Sequence, residues 1–573
     1  MAKRAGKKSV VLLLVIMTAA WTLSACSKSN SESASPSASQ SASTDKPGAT
    51  QSAAPDNVDP LGKFDPPITV NIGRSVGTDW KYASGESIDK NRVYDFYESG
   101  LGVKLVNEFA VAGDQYSSKV NTVIASGQIP DMMLVDGVQL RNLVKAGMVE
   151  DLSSVYDKYV SQDTKKMLDE DGGYAIKSST VDGKLYGIPV TTQGYWSAME
   201  LWIRQDWLDN LGLQPPKTTD ELIAVAKAFT EQDPDKNDKK DTFGLALSKE
   251  LMNPFIGYFN SFHAYPGAWT TDSSGKAVYG SIQPEMKAPL EKLAELYKQG
   301  IIDPEFGVKD VEKMKESISS GKVGMAFGNF AFPLGSLKQS YANNPDAVWN
   351  AYPMPSVDGT PSKAYIGSTA SGYWVVRKGY EHPEAVVKLA NFWVENWVTH
   401  QVEDEKYGSD PDTGVLYYVY GIVNPLAPMT HIPEFRDVKA ALLAHEQADK
   451  TKNTPNVYAY LDGINKYLKD SKNSKDPSIQ NGWAFNRSFG TPKSGLEVLD
   501  EYYYKNNYIL TTPLKVASTP TMAEKMPTLK KMEDTMIMKI ILGDEGLDSF
   551  DQFVSDWNKL GGDKITEEVN SFK

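Results

Sequence analysis

The densest run of oxygen-bearing side chains in the sequence lies between residues 233 and 244. Counted from its first residue, oxygen side chains occupy positions 1, 3, 5 and 9, which are Asp233, Asp235, Asn237 and Asp241. This alternation wraps a loop around Ca²⁺, and the backbone carbonyl of position 7, Lys239, would be a further ligand. Position 12 is Gly244 where a calcium loop has glutamate, and position 6 is Asp238 instead of glycine. We predict a structural calcium site of reduced affinity, and the alternative is a solvated polar turn.

Acid–base hydrolysis by two carboxylates is a second chemistry to weigh. Asp136 and Glu200 could do this work if the fold held them about 5–10 Å apart. With 73 acidic residues, however, some carboxylate pair is inevitable. Nucleophilic and metal-dependent routes have little support, because the five histidines are scattered and the sequence has no HExxH or GxSxG motif and no catalytic cysteine. We expect no catalytic residues, and hydrolysis is kept as an alternative.

Alternating strands and helices must position these side chains. Apolar runs predict strands at 68–72, 103–106 and 132–135, and helical spacing predicts helices over 89–97, through 120–124 and through 140–144. Later helices are predicted over 219–229 and 285–299. This order indicates an α/β fold with a largely parallel sheet covered on both faces. Ligands bind such sheets beyond the carboxyl ends of the strands. Trp80 and Asp136, which follow the first and third strands, are therefore candidate ligand-binding residues.

The first 62 residues predict export and membrane attachment. Four basic residues precede an apolar run from Val10 to Ala20, which is typical of a secretory signal and too short to span a bilayer. The only cysteine, Cys26, follows Leu23-Ser24-Ala25 in the pattern of a lipobox, so we predict a signal peptide over 1–25 and a lipid on Cys26. Residues 27–59 are mostly Ser, Ala, Pro, Thr and Gln, which predicts a disordered tether within 26–62.

Composition bounds the size and the partners of the remaining body. About five hundred residues exceed one ordinary domain, so we expect two lobes. The chain has 60 basic and 73 acidic residues, for a net charge of −13. Removing the four basic residues of the signal leaves 56 basic residues and a net charge of −17. Such an acidic protein is not expected to bind nucleic acid.

Six short motifs and the C-terminus, in this order, resemble the extracellular solute-binding lipoproteins of carbohydrate ABC importers. The resemblance is to the large-chain branch that includes the alginate-binding proteins, and it extends from about residue 68 to 572. The motifs are ASGQIPD at 125–131, YGIP at 186–189, LWIRQDWL at 201–208, IDPEF at 302–306, GKVGM at 321–325, SGYWVV at 371–376, and WNKLGGD at 557–563 with EEVN at 567–570.

The resemblance implies a two-lobed periplasmic-binding-protein-like (type II) fold whose lobes close on the ligand. The first lobe would comprise 63–188 and 368–425, and the second 189–367 and 426–573, with crossings near 186–192 and 364–369. The implied partners are an oligosaccharide, the permease subunits of an ABC importer and, through the lipid, the outer face of the cytoplasmic membrane. A monomer is expected. The resemblance also implies a structural calcium ion and adds Thr242, where the relatives often have an acidic residue, to its ligands.

The ligand cleft between the two lobes should contain two kinds of side chain. Aromatic rings stack on sugars, and planar polar groups bind their hydroxyls. With 12 Trp and 29 Tyr, position must choose among them, and for each a packing role is the alternative. Besides the two residues after the strands, the candidates follow a crossing, lie in a predicted loop or follow the glycine-containing stretch 321–328, where relatives often place a stacking aromatic. They are Trp196, Glu200, Trp269, Asn329, Phe330, Tyr373, Trp374 and Trp483.

Three functions are consistent with these observations. The resemblance favours the substrate-binding component of an ABC importer, which captures an oligosaccharide and delivers it to a permease. A lipid-anchored glycoside hydrolase and a static polysaccharide-binding surface protein are the alternatives. The sequence identifies neither the oligosaccharide nor a basic residue in the cleft that would bind an acidic one.

Overall fold

The computed structural model describes residues 58–571, except 79, 252–254, 400–403, 411–414, 430 and 515–517. The predicted signal peptide, Cys26 and the tether up to residue 57 lie outside the described residues. Within the described part, no helix combines the length and the apolar character that a bilayer crossing needs.

The first part of the chain alternates between strands and helices, as its hydrophobic pattern predicts. Its elements are β1 (Ile68–Val76), α1 (Arg92–Leu101), β2 (Val103–Ala112), α2 (Gly113–Ser126), β3 (Met132–Val135), α3 (Gly137–Lys145), α4 (Ser153–Tyr159), α5 (Gln162–Leu168), α6 (Tyr174–Ser178), β4 (Thr180–Val181), β5 (Lys184–Leu185) and β6 (Ile188–Thr191).

The middle part forms a second set of elements. These are β7 (Glu200–Arg204), α7 (Gln205–Leu211), α8 (Thr219–Glu231), β8 (Phe243–Leu245), α9 (Ile256–Asn260), β9 (Trp269–Thr271), β10 (Ala277–Tyr279), α10 (Lys287–Lys298), α11 (Val311–Ser319), β11 (Val323–Gly328), α12 (Ser336–Asn343) and β12 (Trp349–Tyr352).

The last part returns to the first sheet and then forms mainly helices. Its elements are β13 (Ala364–Ile366), β14 (Ala370–Val376), α13 (Ala385–Trp393), β15 (Ser409–Asp410), β16 (Val415–Leu416), α14 (Ile432–Leu443), α15 (Pro455–Lys469), α16 (Pro477–Phe489), α17 (Gly495–Glu497), β17 (Ile509–Thr511), α18 (Pro520–Leu542), α19 (Ser549–Trp557) and α20 (Asp563–Ser571). A turn of π-helix, Val394–Thr399, follows α13.

A five-stranded sheet in the order β2-β1-β3-β14-β6 organises the first lobe. β1 is parallel to β2 and β3, as predicted. β14 is antiparallel to both of its neighbours, because the chain re-enters this sheet from the second lobe. β6 belongs to this sheet, so the predicted lobe boundary after residue 188 falls inside a strand. The remaining lobe boundaries stay a prediction.

Both faces of this sheet are buried. Val70, Ile72 and Trp374 pack on one face with residues of α1 and α13, while Met133 and Tyr373 pack on the other with residues of α2 and α3. Consecutive residues of a strand point to opposite faces, and here each face is covered by helices. Tyr373 and Trp374 are therefore both enclosed, although they point to opposite faces of the sheet.

A four-stranded sheet in the order β12-β7-β11-β8 organises the second lobe. β7 runs antiparallel to β11 and β12. Leu201 and Ile203 of β7 pack with α8, α10 and α18, whereas Trp202 points to the opposite face with residues of α12 and α16. The helices after residue 519 thus complete the second lobe.

Three crossing segments join the lobes: the first at 192–199, the second at 367–369 and the third at 424–429. They are connected by backbone hydrogen bonds. Thr192 N donates to Thr369 O at 2.6 Å, and Leu426 N donates to Thr191 O at 3.4 Å. The crossing segments therefore lie side by side at the junction of the two sheets.

Candidate functional site

A cavity of about 490 Å³ opens beside the first and third crossing segments and is lined by both lobes. The first lobe contributes residues of α5 and of the π-helical turn 394–399, and the second lobe contributes the first turns of α14 and α15. Its volume is in the range of pockets that enclose small-molecule ligands, and such pockets often lie between domains. Its principal polar and aromatic lining residues are Lys166, Glu170, Gln193, Trp397, Glu434 and Asn456.

His431 joins the crossing segments to the second lobe. It precedes α14 with a φ of 81°, a left-handed conformation that is uncommon for residues other than glycine. Its Nδ1 lies 2.6 Å from Glu434 Oε2 and therefore donates to that carboxylate. In the neutral ring, Nε2 can then accept from Gln193 Nε2 at 3.4 Å. Asn456 Nδ2 donates to the other oxygen of Glu434 at 2.8 Å, which extends the network into α15.

Trp196 continues this network along the first crossing segment. Its indole N–H donates to Gln193 Oε1, and its backbone carbonyl accepts from Asn329 Nδ2 at 3.0 Å. The edge of its ring meets Phe330 with a centroid separation of 5.3 Å. The side chain is nonetheless 42% exposed. A large aromatic ring that is held in place and open to solvent can serve as a stacking surface for a sugar.

The structure thus brings three predicted residues together, Trp196, Asn329 and Phe330. Phe330 is buried, in contact with His431 at 5.6 Å and Phe489 at 6.2 Å between ring centroids. It packs against the ring of Trp196, and its own ring is not accessible to a ligand in this conformation. Asn329 fixes the backbone of Trp196. Contact of these residues with a ligand stays a prediction.

Glu200 is enclosed in the second lobe, and its contact with a ligand stays a prediction. Its side chain is 0% exposed, and neither carboxyl oxygen has a hydrogen-bond partner among the residues that the structure describes. Gly495 packs against it so closely that a Cβ there would lie 2.8 Å from Oε2. Burial raises the pKa of Glu200 well above its usual range. Burial therefore favours the protonated form of this carboxyl group and keeps it away from solvent in this conformation.

Four predicted aromatic ligands are core residues. Trp269 opens β9 and packs on Tyr279 at 5.5 Å, where a loop position was predicted. Trp483 lies within α16 and stacks on Tyr341 at 5.1 Å, also where a loop was predicted. Tyr373 and Trp374 are buried on opposite faces of the first sheet. The loop positions predicted for Trp269 and Trp483 are therefore wrong. All four side chains are enclosed by packing in this conformation, and their contact with a ligand stays a prediction.

The two residues that follow the first-lobe strands have local structural roles. Trp80 is half-buried, with the guanidinium of Arg74 at 5.3 Å from its ring and Tyr420 at 6.3 Å. Asp136 is exposed and caps α3, where its Oδ1 accepts from Val138 N at 2.9 Å and Gln139 N at 2.8 Å. Both lie at carboxyl ends of strands, as predicted, and their contact with a ligand stays a prediction.

The residues of the cavity were not predicted from the sequence. Gln193 lies one residue beyond the first predicted crossing. Pro433 and Glu434 in the first turn of α14 are typical of a helix start, but they do not indicate that His431 would face Gln193. Trp397 and Asn456 have no local signal, since they reach the cavity only through packing of the lobes.

The predicted calcium loop is a polar turn rich in hydrogen bonds. Asn237 Nδ2 donates to Asp235 Oδ2 at 2.9 Å and to Asp241 Oδ1 at 3.2 Å, while Asp233 accepts from backbone N–H groups of the loop. Thr242 is buried and its hydroxyl donates to Phe229 O at 2.7 Å, so it faces away from the other predicted ligands. Within the described ranges, no three His, Cys, Asp or Glu side chains are arranged to hold a metal ion.

Comparison with known proteins gives a consistent match. The model of the family described as bacterial extracellular solute-binding protein matches residues 80–396. YtcQ of Bacillus subtilis, named a polygalacturonan/rhamnogalacturonan-binding protein, is 27% identical over 460 residues, which cover 78% of this chain and 82% of YtcQ. Lipoprotein LipO of the same species is 24% identical over 488 residues, covering 80% of this chain and 84% of LipO.

Solved structures match over most of the chain. The alginate-binding protein AlgQ2, in a structure without calcium ion, has a TM-score of 0.56 at 17% identity, covering 90% of this chain and 99% of AlgQ2. FusA, an ABC-transporter substrate-binding protein of Streptococcus pneumoniae, has a TM-score of 0.54 in complex with kestose, at 17% identity, covering 88% and 98% of the two chains. A FusA structure described as an EF-hand mutant has a TM-score of 0.53 at 18% identity, with the same coverage. The predicted two-lobed α/β type II fold is thus confirmed.

We expect replacement of Glu200 by Gln to remove a pH-dependent loss of stability. Because the pKa is raised in the folded state, the folded protein keeps a proton that the unfolded chain loses above its ordinary pKa, so stability falls as pH rises. In urea unfolding between about pH 5 and pH 8, E200Q should gain stability relative to the unmodified protein as pH increases. E497Q, at a partly exposed and ion-paired carboxylate, is the control. If the difference in free energy of unfolding between E200Q and the unmodified protein did not change with pH, the raised pKa of Glu200 would be contradicted.

Proposed function

The chain belongs to the family of bacterial extracellular solute-binding proteins, and from this premise we propose that it captures an oligosaccharide between its lobes and delivers it to the permease of an ABC importer. The observation that carries the proposal is the cavity of about 490 Å³ whose walls come from both lobes. A ligand that contacts both walls binds the closed arrangement better than an open one and shifts the population toward it.

The lining chemistry supports a sugar. Gln193 and Asn456 present amide groups that can donate to and accept from hydroxyls, and Trp397 adds an aromatic surface. Trp196 extends the binding surface through its hydrogen bond to Gln193. An oligosaccharide is favoured over a monosaccharide, because FusA, a relative in fold, is a fructooligosaccharide ABC transporter substrate-binding protein that was solved with kestose.

We infer binding without catalysis. The carboxylate pair that hydrolysis would have used is unsuitable, because Glu200 is enclosed and Asp136 serves as a helix cap. YtcQ and FusA are both named as binding proteins. A static surface protein is less well supported, because three separate crossing segments suit lobes that move relative to each other.

We propose that the protein is held at the outer face of the cytoplasmic membrane by a lipid on Cys26. The support is the charged and apolar start of the sequence, the Leu-Ser-Ala-Cys pattern and the similarity to a protein named lipoprotein LipO. Two acyl chains give stable attachment, whereas one gives only reversible attachment.

We also propose that the loop 233–241 binds a structural calcium ion. Asp233, Asp235, Asn237 and Asp241 supply the oxygen atoms that a hard cation prefers. Asp235 Oδ1 is buried and has no partner among the described residues, and the Asn237 amide already lies between two carboxylates. The oxygen types and their spacing along the loop therefore suit Ca²⁺, with Thr242 left out. Calcium would draw together carboxylates that the described structure does not group around one point. The AlgQ2 structure without calcium ion and the FusA EF-hand mutant indicate that calcium is relevant to proteins of this fold.

Gln193 should contribute to affinity directly. Isothermal titration of the tether-free chain with kestose, xylotetraose, cellotetraose and galactotetraose should find at least one ligand. Q193A should weaken its binding about 3- to 10-fold, the effect of losing one or two hydrogen bonds to neutral groups. Q339A, at an exposed glutamine of α12, should leave it unchanged. Release of new reducing ends from any of these sugars would contradict the inference of binding without catalysis.

Calcium should stabilise the protein. A ligand present at about 100 times its dissociation constant adds about 2.7 kcal/mol, which for a body of this size predicts a rise in Tm of roughly 2–3 °C after calcium is added to chelator-treated protein. The shift should disappear in D241N and persist in D346N, which removes a charge from an exposed aspartate elsewhere. Equal shifts in the two variants would show that calcium does not bind at this loop.

Replacing Cys26 by Ala should release the protein from the membrane without changing its fold. Cells that express C26A should fail to incorporate labelled palmitate into the chain and should secrete it into the medium. The affinity of the purified variant for its oligosaccharide should equal that of the unmodified protein, because the described body begins at residue 58. Palmitate incorporation by C26A would place the lipid on another residue and contradict the proposal.

A further inference from the structure

We propose that the interlobe cavity selects uncharged oligosaccharides and excludes chains of uronic acids. The inference rests on the proposed function and concerns the class of sugar that the same cavity accepts. It follows from the charges of the cavity lining, from the partners of those charges and from the neutral polar and aromatic groups of the same lining.

Carboxylates dominate the charge of the cavity. In the part of the lining that the structure describes, Asp163, Glu170, Glu434 and Asp437 are acidic and Lys166 is the one lysine or arginine. A sugar carboxylate would enter among like charges in a partly enclosed space, where such repulsion is stronger than in water. The unmodified cavity therefore disfavours a polyanion.

Glu170 is the acid of the lining on which Lys166 acts. Burial raises its pKa, and the charge of Asp171 adds to the rise, while a hydrogen bond from Met429 N at 3.2 Å and the charge of Lys166 oppose it. Lys166 thus already faces a carboxylate of the protein. The cavity is short of positive charge before any ligand arrives.

The basic residues nearest along α14 are engaged on another face of the helix. Arg436 forms an ion pair with the buried Asp500 at 2.7 Å, and Lys439 lies 3.0 Å from Glu501 and 3.3 Å from Glu497. His431 donates from Nδ1 to Glu434. An arginine fork, the usual partner of a carboxylate, has no source among the lining residues that the structure describes.

The remaining groups suit a neutral sugar. Gln193 and Asn456 offer amides, Thr399 and Thr454 offer hydroxyls, and Trp397 offers an aromatic surface. Each of these can bind hydroxyls or C–H faces without a formal charge. The carboxylates can in addition accept hydrogen bonds from sugar hydroxyls, and these bonds strengthen the binding of a neutral chain. The negative charge of the same carboxylates repels an anionic chain.

The test compares sugars that differ only in charge. Tetragalacturonate and its fully methyl-esterified form have the same backbone, and the neutral tetrasaccharides named above provide further uncharged probes. Titration calorimetry at low ionic strength should show that a neutral probe binds roughly tenfold or more tightly than its uronate counterpart. A uronate that binds as tightly as, or more tightly than, every neutral probe would overturn the selectivity while leaving oligosaccharide capture intact.

Two variants connect the selectivity to this cavity. E170Q and D437N remove acidic groups from the lining at nearly constant size. Each should reduce the difference in affinity between neutral and uronate probes, whereas D346N should not. Thermal unfolding checks that all three variants are folded. An unchanged gap in folded E170Q and D437N would overturn the assignment of selectivity to this cavity. Absence of binding by every probe, neutral and acidic, would instead refute the proposed function together with the inference that rests on it.

Discussion

The hydrogen bonds between neighbouring crossing segments are the constraint on which the rest of the structure depends. Thr192 and Thr369 join the first two segments, and Leu426 of the third segment bonds to Thr191, the last residue of β6, directly before the first segment. Two sheets with separate cores would otherwise have no defined relation to each other. Because the joined segments lead directly into β7, β14 and α14, they determine which residues of the two lobes face one another. The cavity between the lobes is the consequence, since it forms where the first and third segments run side by side.

The polar residues around this junction fall into two groups, those whose side chains are hydrogen-bonded and one whose side chain is not. Gln193, His431, Glu434 and Asn456 share hydrogen bonds, so each can lie in a partly enclosed place while its polar atoms stay paired. Glu200 and Phe330 both pack against Gly495, but the carboxyl oxygens of Glu200 have no hydrogen-bond partners among the described residues. Burial without partners favours its protonated form, and the packing at Gly495 holds it away from solvent. The network can meet a ligand, whereas the isolated acid contributes only to the interior.

The sequence misplaced some candidate residues because a feature that suggested a loop or a cleft was in fact required by packing between distant elements. Gly482 suggested a loop before Trp483, yet it lies within α16, where a Cβ would collide with the carbonyl oxygen of Gly463 in α15. The glycine allows two helices to approach closely and does not break one of them. Likewise, Tyr373 and Trp374 were placed at a cleft because they follow a crossing, but β14 enters a sheet that is covered on both faces.

The sequence by itself determined the first three strands and the first three helices of the chain, and with them the α/β class, because hydrophobic periodicity is a local property. It also determined which oxygen side chains cluster in the loop after α8, since their spacing lies within one turn of the chain. Only the tertiary structure decided the site. Its lining comes from residues as far apart as Asp163 and Asn456, and their proximity depends on three crossings and on the packing of helices. No local pattern encodes such contacts, so burial and charge in the cavity emerge only when the lobes are assembled.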